Sequence, residues 1–162
     1  MPNISLEEIP IFQGLTPEQV DLLHPLVMEC NCYAGTVLFE QGDPAEFLYL
    51  VITGEAVIRY KPEDGPPITV TRVRSGGLVG WSAVIGRRLY TSGVECSQDS
   101  NLLRIRGTDL QSLCERSPET GLIILDRLAN LVAERLRHTH PEVVALLENG
   151  FRNGVKCQEV RG

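Results

Sequence analysis

Residues 33–60 read YAGTVLFEQGDPAEFLYLVITGEAVIRY, and three short apolar runs stand out: Thr36 to Phe39, Phe47 to Thr53 and Ala56 to Tyr60. Rich in β-branched and aromatic residues and too short for helices, they read as strands. Between them, Tyr33-Ala34-Gly35, Gln41-Gly42-Asp43-Pro44 and Thr53-Gly54-Glu55 read as turns, because glycine takes the positive φ of a tight turn and proline fixes its own φ. Turns so closely spaced imply an antiparallel all-β sandwich or barrel. Working outward, Ile68 to Val73 alternates in polarity after the loop Pro62-Glu63-Asp64-Gly65-Pro66-Pro67. Ala56 to Val73 is therefore a hairpin with an exposed tip. Asn101 to Arg106 is one more strand.

The chain has 162 residues, 43% of them hydrophobic, enough for one sizeable core and too few for a second full domain. No run of 18 apolar residues occurs, and Met1-Pro2-Asn3-Ile4-Ser5 lacks the basic and apolar regions of a signal peptide, so a cytoplasmic protein is expected. A net charge of -6 repels phosphate backbones and anionic membrane surfaces, which argues against direct nucleic-acid or membrane binding. The five cysteines, Cys30, Cys32, Cys96, Cys114 and Cys157, form no CxxC pair and have no matching histidine spacing, so reduced thiols and no metal site are expected. Alternation places Cys30 and Cys32 on one face of an extended segment. Two readings stand for them, a redox or metal clip and half-buried residues at the edge of the β structure.

Helical signals flank the strands. Ser5-Leu6-Glu7-Glu8 and Thr16-Pro17-Glu18-Gln19 are both capping-box patterns, and Val20, Leu23, Leu26 and Val27 recur at helical spacing after the second. His24 lies among them, as a core or edge histidine or as a ligand to haem or metal. From Pro118 an apolar stripe of Leu125, Leu128, Val132 and Leu136 marks a long amphipathic helix. About twenty residues make a rod of roughly 30 Å, which leaves part of the stripe for a partner. After His138-Thr139-His140, Pro141 opens a short helix, Glu142 to Leu147, ended by Asn149-Gly150. Residues 1–140 are thus one unit and 141–162 a short helix and tail, with no space for a helix-turn-helix reader.

One segment has the composition of an anion site. Gly76-Gly77-Leu78-Val79-Gly80-Trp81-Ser82-Ala83 is a glycine-rich loop leading into a helical turn, which presents backbone N–H groups to a phosphate.

Gly35, Glu40, Gly42, Asp43, Tyr49, Val51 and Gly54 stand at the spacing of a glycine followed by E-x-G-D-x-x-x-x-x-Y-x-V-x-x-G. In this pattern the chain resembles the cyclic-nucleotide-binding domain of the Crp/Fnr superfamily, over roughly Ile9 to His138. The resemblance implies a mainly β fold with flanking helices: a double-stranded β-helix, or jelly-roll-like β-roll, with Gly35, Gly42 and Gly54 at its corners, followed by a long dimerisation-type helix. It implies a homodimer through Leu125, Leu128, Val132 and Leu136, the helix lying beside the ligand. It also makes Gly76 to Ser92 the phosphate-binding cassette, which in cyclic-nucleotide binders reads approximately F-G-E-L-A-L and then P-R-[ST/A]-A. Trp81 stands at the family's ribose-binding glutamate and Tyr90 at its phosphate-binding arginine, with Thr91 and Ser92 on the small residues that follow. Two charged hydrogen bonds of about 1.5–3 kcal/mol each are lost, roughly two to four orders of magnitude in affinity.

The expected ligand residues are Gly80, Trp81, Ser82, Ala83, Arg87, Arg88, Tyr90, Thr91 and Ser92. Arg87 and Arg88 either turn in to restore the charge or form a solvated loop tip. Trp81 and Tyr90 either supply aromatic surface to a flat ligand or fill the emptied pocket. No nucleophile–base pair or paired carboxylates occur at a specific spacing, so no catalytic residue is assigned. The expected function is a non-enzymatic regulatory sensor of a small effector, a cyclic nucleotide or another small anion, acting on a protein partner. The alternatives are a dimerisation domain without ligand and a haem or redox sensor of the Crp/Fnr type.

Overall fold

A computed structural model describes residues 5–134 of the chain. Among the described residues there are eight strands: β1 (Val27–Cys32), β2 (Val37–Phe39), β3 (Phe47–Thr53), β4 (Glu55–Tyr60), β5 (Ile68–Arg74), β6 (Leu78–Val79), β7 (Gly93–Cys96) and β8 (Ser100–Arg106). They form two four-stranded antiparallel sheets, ordered β1-β8-β3-β6 and β2-β7-β4-β5. This is the expected β-roll with flanking helices. Helix α1 (Pro17–Leu23) precedes it, and α2 (Gly107–Arg116) and α3 (residues 118–134) follow.

The sequence FLYLVIT of β3 shows no alternation because both of its faces are buried. Leu48 and Leu50 point to the helices and pack with Leu103, Ile105, Leu23, Leu113 and Ile124. Tyr49 and Val51 point into the roll, where they meet Phe39, Ala56, Ile58, Val73, Val94 and Leu102. The hairpin β4–β5 pairs from Glu55↔Arg74 to Tyr60↔Ile68 with one register shift between Ile58 and Arg59. Gly54 takes φ 95° at the corner before it, and a Cβ there would lie 2.7 Å from the Asp99 carbonyl.

The two capping boxes have different fates. Thr16 and Gln19 cap α1 reciprocally, with Pro17 in the first helical turn. Ser5 makes no such bond, and Leu6–Glu8 is a single 3-10 turn. Pro10 is the reason: the residue before a proline is pushed out of the helical region, and Ile9 sits at φ -89°, ψ 125°. Val27 begins β1 rather than continuing a helical stripe. Cys30 and Cys32 do share one face of β1, half-buried against the roll interior.

One buried acid locks the hairpin. The Glu55 side chain is only 5% exposed and accepts from Arg72 Nη1 at 2.8 Å, Arg74 Nε at 2.9 Å and Ser97 Oγ at 2.7 Å. These bonds, the one from Ser97 foremost, hold its carboxyl down to about 2 from an ordinary 4.5. A depressed carboxyl stabilises the fold fully above its unfolded value and loses that contribution as pH falls towards its folded value. The melting-temperature gap between the wild type and Glu55→Gln should be constant above pH 4.5 and narrow steadily towards pH 2. An equal gap at pH 6 and pH 2.5 would exclude this role.

Candidate functional site

The glycine-rich segment runs from β6 through a 3-10 turn (Trp81–Ala83) to β7. Gly80 adopts φ 82°, and a Cβ on it would meet the Phe47 carbonyl at 2.7 Å and the rings of Phe39 and Tyr90 near 3.5 Å. Only glycine fits. At its far end the turn rests on α2, since a Cβ on Gly107 would strike the Ala83 backbone.

The return half of the cassette is zipped to the Gly42-Asp43-Pro44-Ala45 turn. Tyr90 N donates to Asp43 O at 2.9 Å, Ala45 N to Arg88 O at 2.9 Å and Gly42 N to Tyr90 O at 3.0 Å, and Pro44 bridges Leu89. That turn is itself tied, with Glu40 N donating to Asp43 Oδ2 at 2.9 Å. The E-x-G-D motif therefore holds the cassette in place.

Tyr90 is buried. Its ring lies 3.6 Å from that of Phe39 at 13°, and its hydroxyl donates to Phe47 O at 2.6 Å while accepting from Phe47 N at 2.9 Å. Burial pushes the phenol's pKa up, against the opposing effect of the Phe47 backbone bonds. Tyr49, 6.0 Å from Phe39, is pushed up to about 12, chiefly by burial. Side chains from both halves of the roll thus close its interior behind Gly80.

Trp81 points the other way. It is half-buried in an apolar groove of about 300 Å³ with Leu78, Val84, Ile85, Leu125, Leu128 and Val132, between the cassette and α3. Ser82 and Ala83 are buried, Thr91 is exposed and Ser92 is intermediate. Arg87 and Arg88 are exposed, and neither forms an ion pair with a described residue. The nine expected ligand residues therefore divide between a buried inner layer, a groove under α3 and a solvated tip. They do not converge on one cavity.

On α3, Leu128 is 6% exposed and belongs to the chain's own core with Ile124, while Leu125 and Val132 are half-buried. Leu136, like His138, His140, Cys157 and the helix expected from Pro141, lies outside the described residues. Leu122, 71% exposed and not singled out from the sequence, shares the outer face with Ala129, which flanks the stripe. The 3-4-3 spacing of Leu122, Leu125, Ala129 and Val132 was the signal available for it.

His24 is half-buried in a 3-10 turn, and no three His, Cys, Asp or Glu side chains converge among the described residues. Burial raises the thiol pKa of Cys30, Cys32, Cys96 and Cys114. No described helix is long and apolar enough to cross a membrane.

The family model of the cyclic nucleotide-binding domain matches residues 29–117, more than half of the chain. This chain belongs to that family. It is 30% identical over 146 residues to the cyclic AMP receptor protein of Thermus thermophilus, covering 90% of this chain and 66% of the receptor. Among solved structures, a putative cyclic nucleotide-binding protein from Geobacter metallireducens superposes with a TM-score of 0.71 at 26% identity, over 82% of this chain and 98% of that one. The T. thermophilus catabolite activator protein superposes at 0.66 and 29% identity, over 85% of this chain and 62% of its own.

Replacing Tyr90 by Phe keeps the ring stack and strands two buried backbone groups of Phe47. Urea unfolding should show a loss of about 1–3 kcal/mol. An unchanged midpoint would mean that water reaches Phe47 and the inner wall is open.

Proposed function

We propose that this chain is a non-enzymatic, ligand-sensing regulatory module whose effector is not recognised in the manner of cyclic AMP. The observation that supports this is the Tyr90 phenol, bonded on both sides to the Phe47 backbone where the family's phosphate-binding arginine is expected. A side chain so engaged offers no charge and no free hydrogen bond to a cyclic phosphate. Trp81, at the position of the ribose-binding glutamate, faces α3 instead. Cyclic AMP and cyclic GMP then lose roughly two to four orders of magnitude in affinity. The effector in this reading is a different small molecule, bound at the outer side of the cassette by Thr91 and Ser92 with Arg87 or Arg88. Its occupancy is passed to α3 through Trp81.

The same closed inner wall favours a second reading, a dimerisation domain with no ligand. Titration calorimetry separates them, with Trp81, the only tryptophan, as a fluorescent reporter beside α3. The first reading expects no heat from either cyclic nucleotide at about 100 μM and a saturable Trp81 response to at least one anionic metabolite of a panel. Tight cyclic AMP binding overturns it, and silence across the panel leaves the second.

Both readings use a homodimer built on α3. Leu122, Leu125, Ala129 and Val132 follow a 3-4-3 spacing that continues to Leu136, the seam of a two-stranded coiled coil. Leu128, committed to the core, is not part of it. Ala129→Glu puts a charge on the seam without touching the core, so light scattering should show the dimer replaced by monomer at the same concentration. An unchanged mass would exclude this seam. The net charge of -6 favours a protein partner over direct contact with nucleic acid or membrane.

A further inference from the structure

We propose a second ligand site, separate from the Gly80 to Ser92 part of the cassette, that takes a small amphiphile with one negative charge, of the class of a medium-chain carboxylate. A cavity of about 570 Å³ lies between the N-terminal turns, the end of β3 with the β5–β6 turn, and α3. Its volume lies within the range of small-molecule sites, roughly 300–1,000 Å³. Ile9, Ile11, Leu50, Ile52 and Leu131 supply the apolar walls.

The polar side chains of the lining are few: Glu8, Ser75, Arg127 and Asn130. Arg127 and Asn130 share the lining face of α3, one helical turn apart. Arg127 Nη1 donates to Ile11 O at 2.7 Å and Gln13 O at 2.6 Å, which fixes the guanidinium against the N-terminal turns. Its Nε and Nη2 meet no acceptor among the described residues, and no carboxylate pairs with it there. Asn130, exposed at the rim, likewise has no described partner. An immobilised cation with N–H groups to spare, beside an amide and above an apolar cleft, is complementary to a single carboxylate with a hydrocarbon tail. Glu8, which also lines the cavity, disfavours a second negative charge. Because the cavity joins three separate elements, an occupant would fasten α3 to the roll and the N-terminal turns.

Calorimetry on the full chain with decanoate, below its micellar concentration, tests the site. One equivalent per chain is expected, with decanol about tenfold weaker for want of the charge. Arg127 is a poor target because its loss frees the N-terminal turns. Asn130→Asp, on an exposed helical position, should instead weaken decanoate about tenfold by repulsion. Leu131→Trp should abolish binding by filling the cleft. Tyr90→Phe should leave it unchanged, so the result stands apart from the fate of the cassette reading. No heat from decanoate, as when the cavity is filled by the chain's own segments outside residues 5–134, overturns the proposal. Equal binding of decanol, or undiminished binding by both Asn130→Asp and Leu131→Trp, also overturns it.

Discussion

The fold depends on one constraint: β3 and β8, paired along Phe47↔Arg106 to Thr53↔Asn101, carry apolar side chains on both faces. A sheet so built has to be covered twice. The second sheet covers one face through Phe39, Ala56, Ile58 and Val94, and the helices cover the other through Leu23, Leu110, Leu113, Ile124 and Leu128. The position of α3 is a consequence. It lies over the sheet that carries β6, which belongs to the cassette, so the cassette and α3 meet at Trp81 without any further device.

The roll interior follows from the same arrangement. Phe47, at the start of β3, gives its side chain to the guanidinium groups of Arg104 and Arg106, 4.4 and 4.7 Å from its ring centroid, and its backbone N–H and C=O to Tyr90. The strand end and the cassette end are thereby fixed to one residue. An arginine in place of Tyr90 would bring a charge into contact with Phe39 and Gly80 and would need an anion beside it. The tyrosine brings ring area for stacking and a hydroxyl that meets both backbone groups. The aromatic substitution is therefore coherent with Gly80, Phe39 and the Gly42–Ala45 turn together, rather than a local loss.

What the sequence made legible had local causes. Strands β3, β4, β5 and β8 carry runs long enough to show β character, and the cap of α1 lies within four residues of sequence. Strands β6 and β7, of two and four residues, are defined by partners far away in the chain, and no periodicity marks them. Val27 fits a helical stripe and a strand equally well until Pro25 breaks the helix. The direction of Trp81 depends on the left-handed Gly80 before it, and the burial of Tyr90 on a partner 43 residues distant, so neither was readable. For α3 the stripe was visible, but Ile124 and Leu128 turn inward while Leu122 faces out, a choice made by where the sheet lies.

Charge accounting decides where an anion can bind. Arg59 pairs with Glu95, Arg72 and Arg74 with Glu55, and Arg106 with Glu46, so those cations are already engaged. Arg87 and Arg88 are not, but they stand in solvent on a loop tip. There, water screens their attraction and holding a long side chain in place costs entropy. Arg127 differs on both counts: two carbonyls already hold its guanidinium, and an apolar cleft beside it excludes water from part of the field. A fixed, partly desolvated cation discriminates for charge more strongly than two mobile exposed ones. An anion would therefore find a firmer hold at Arg127, on the α3 side of the roll, than at the tip of the cassette.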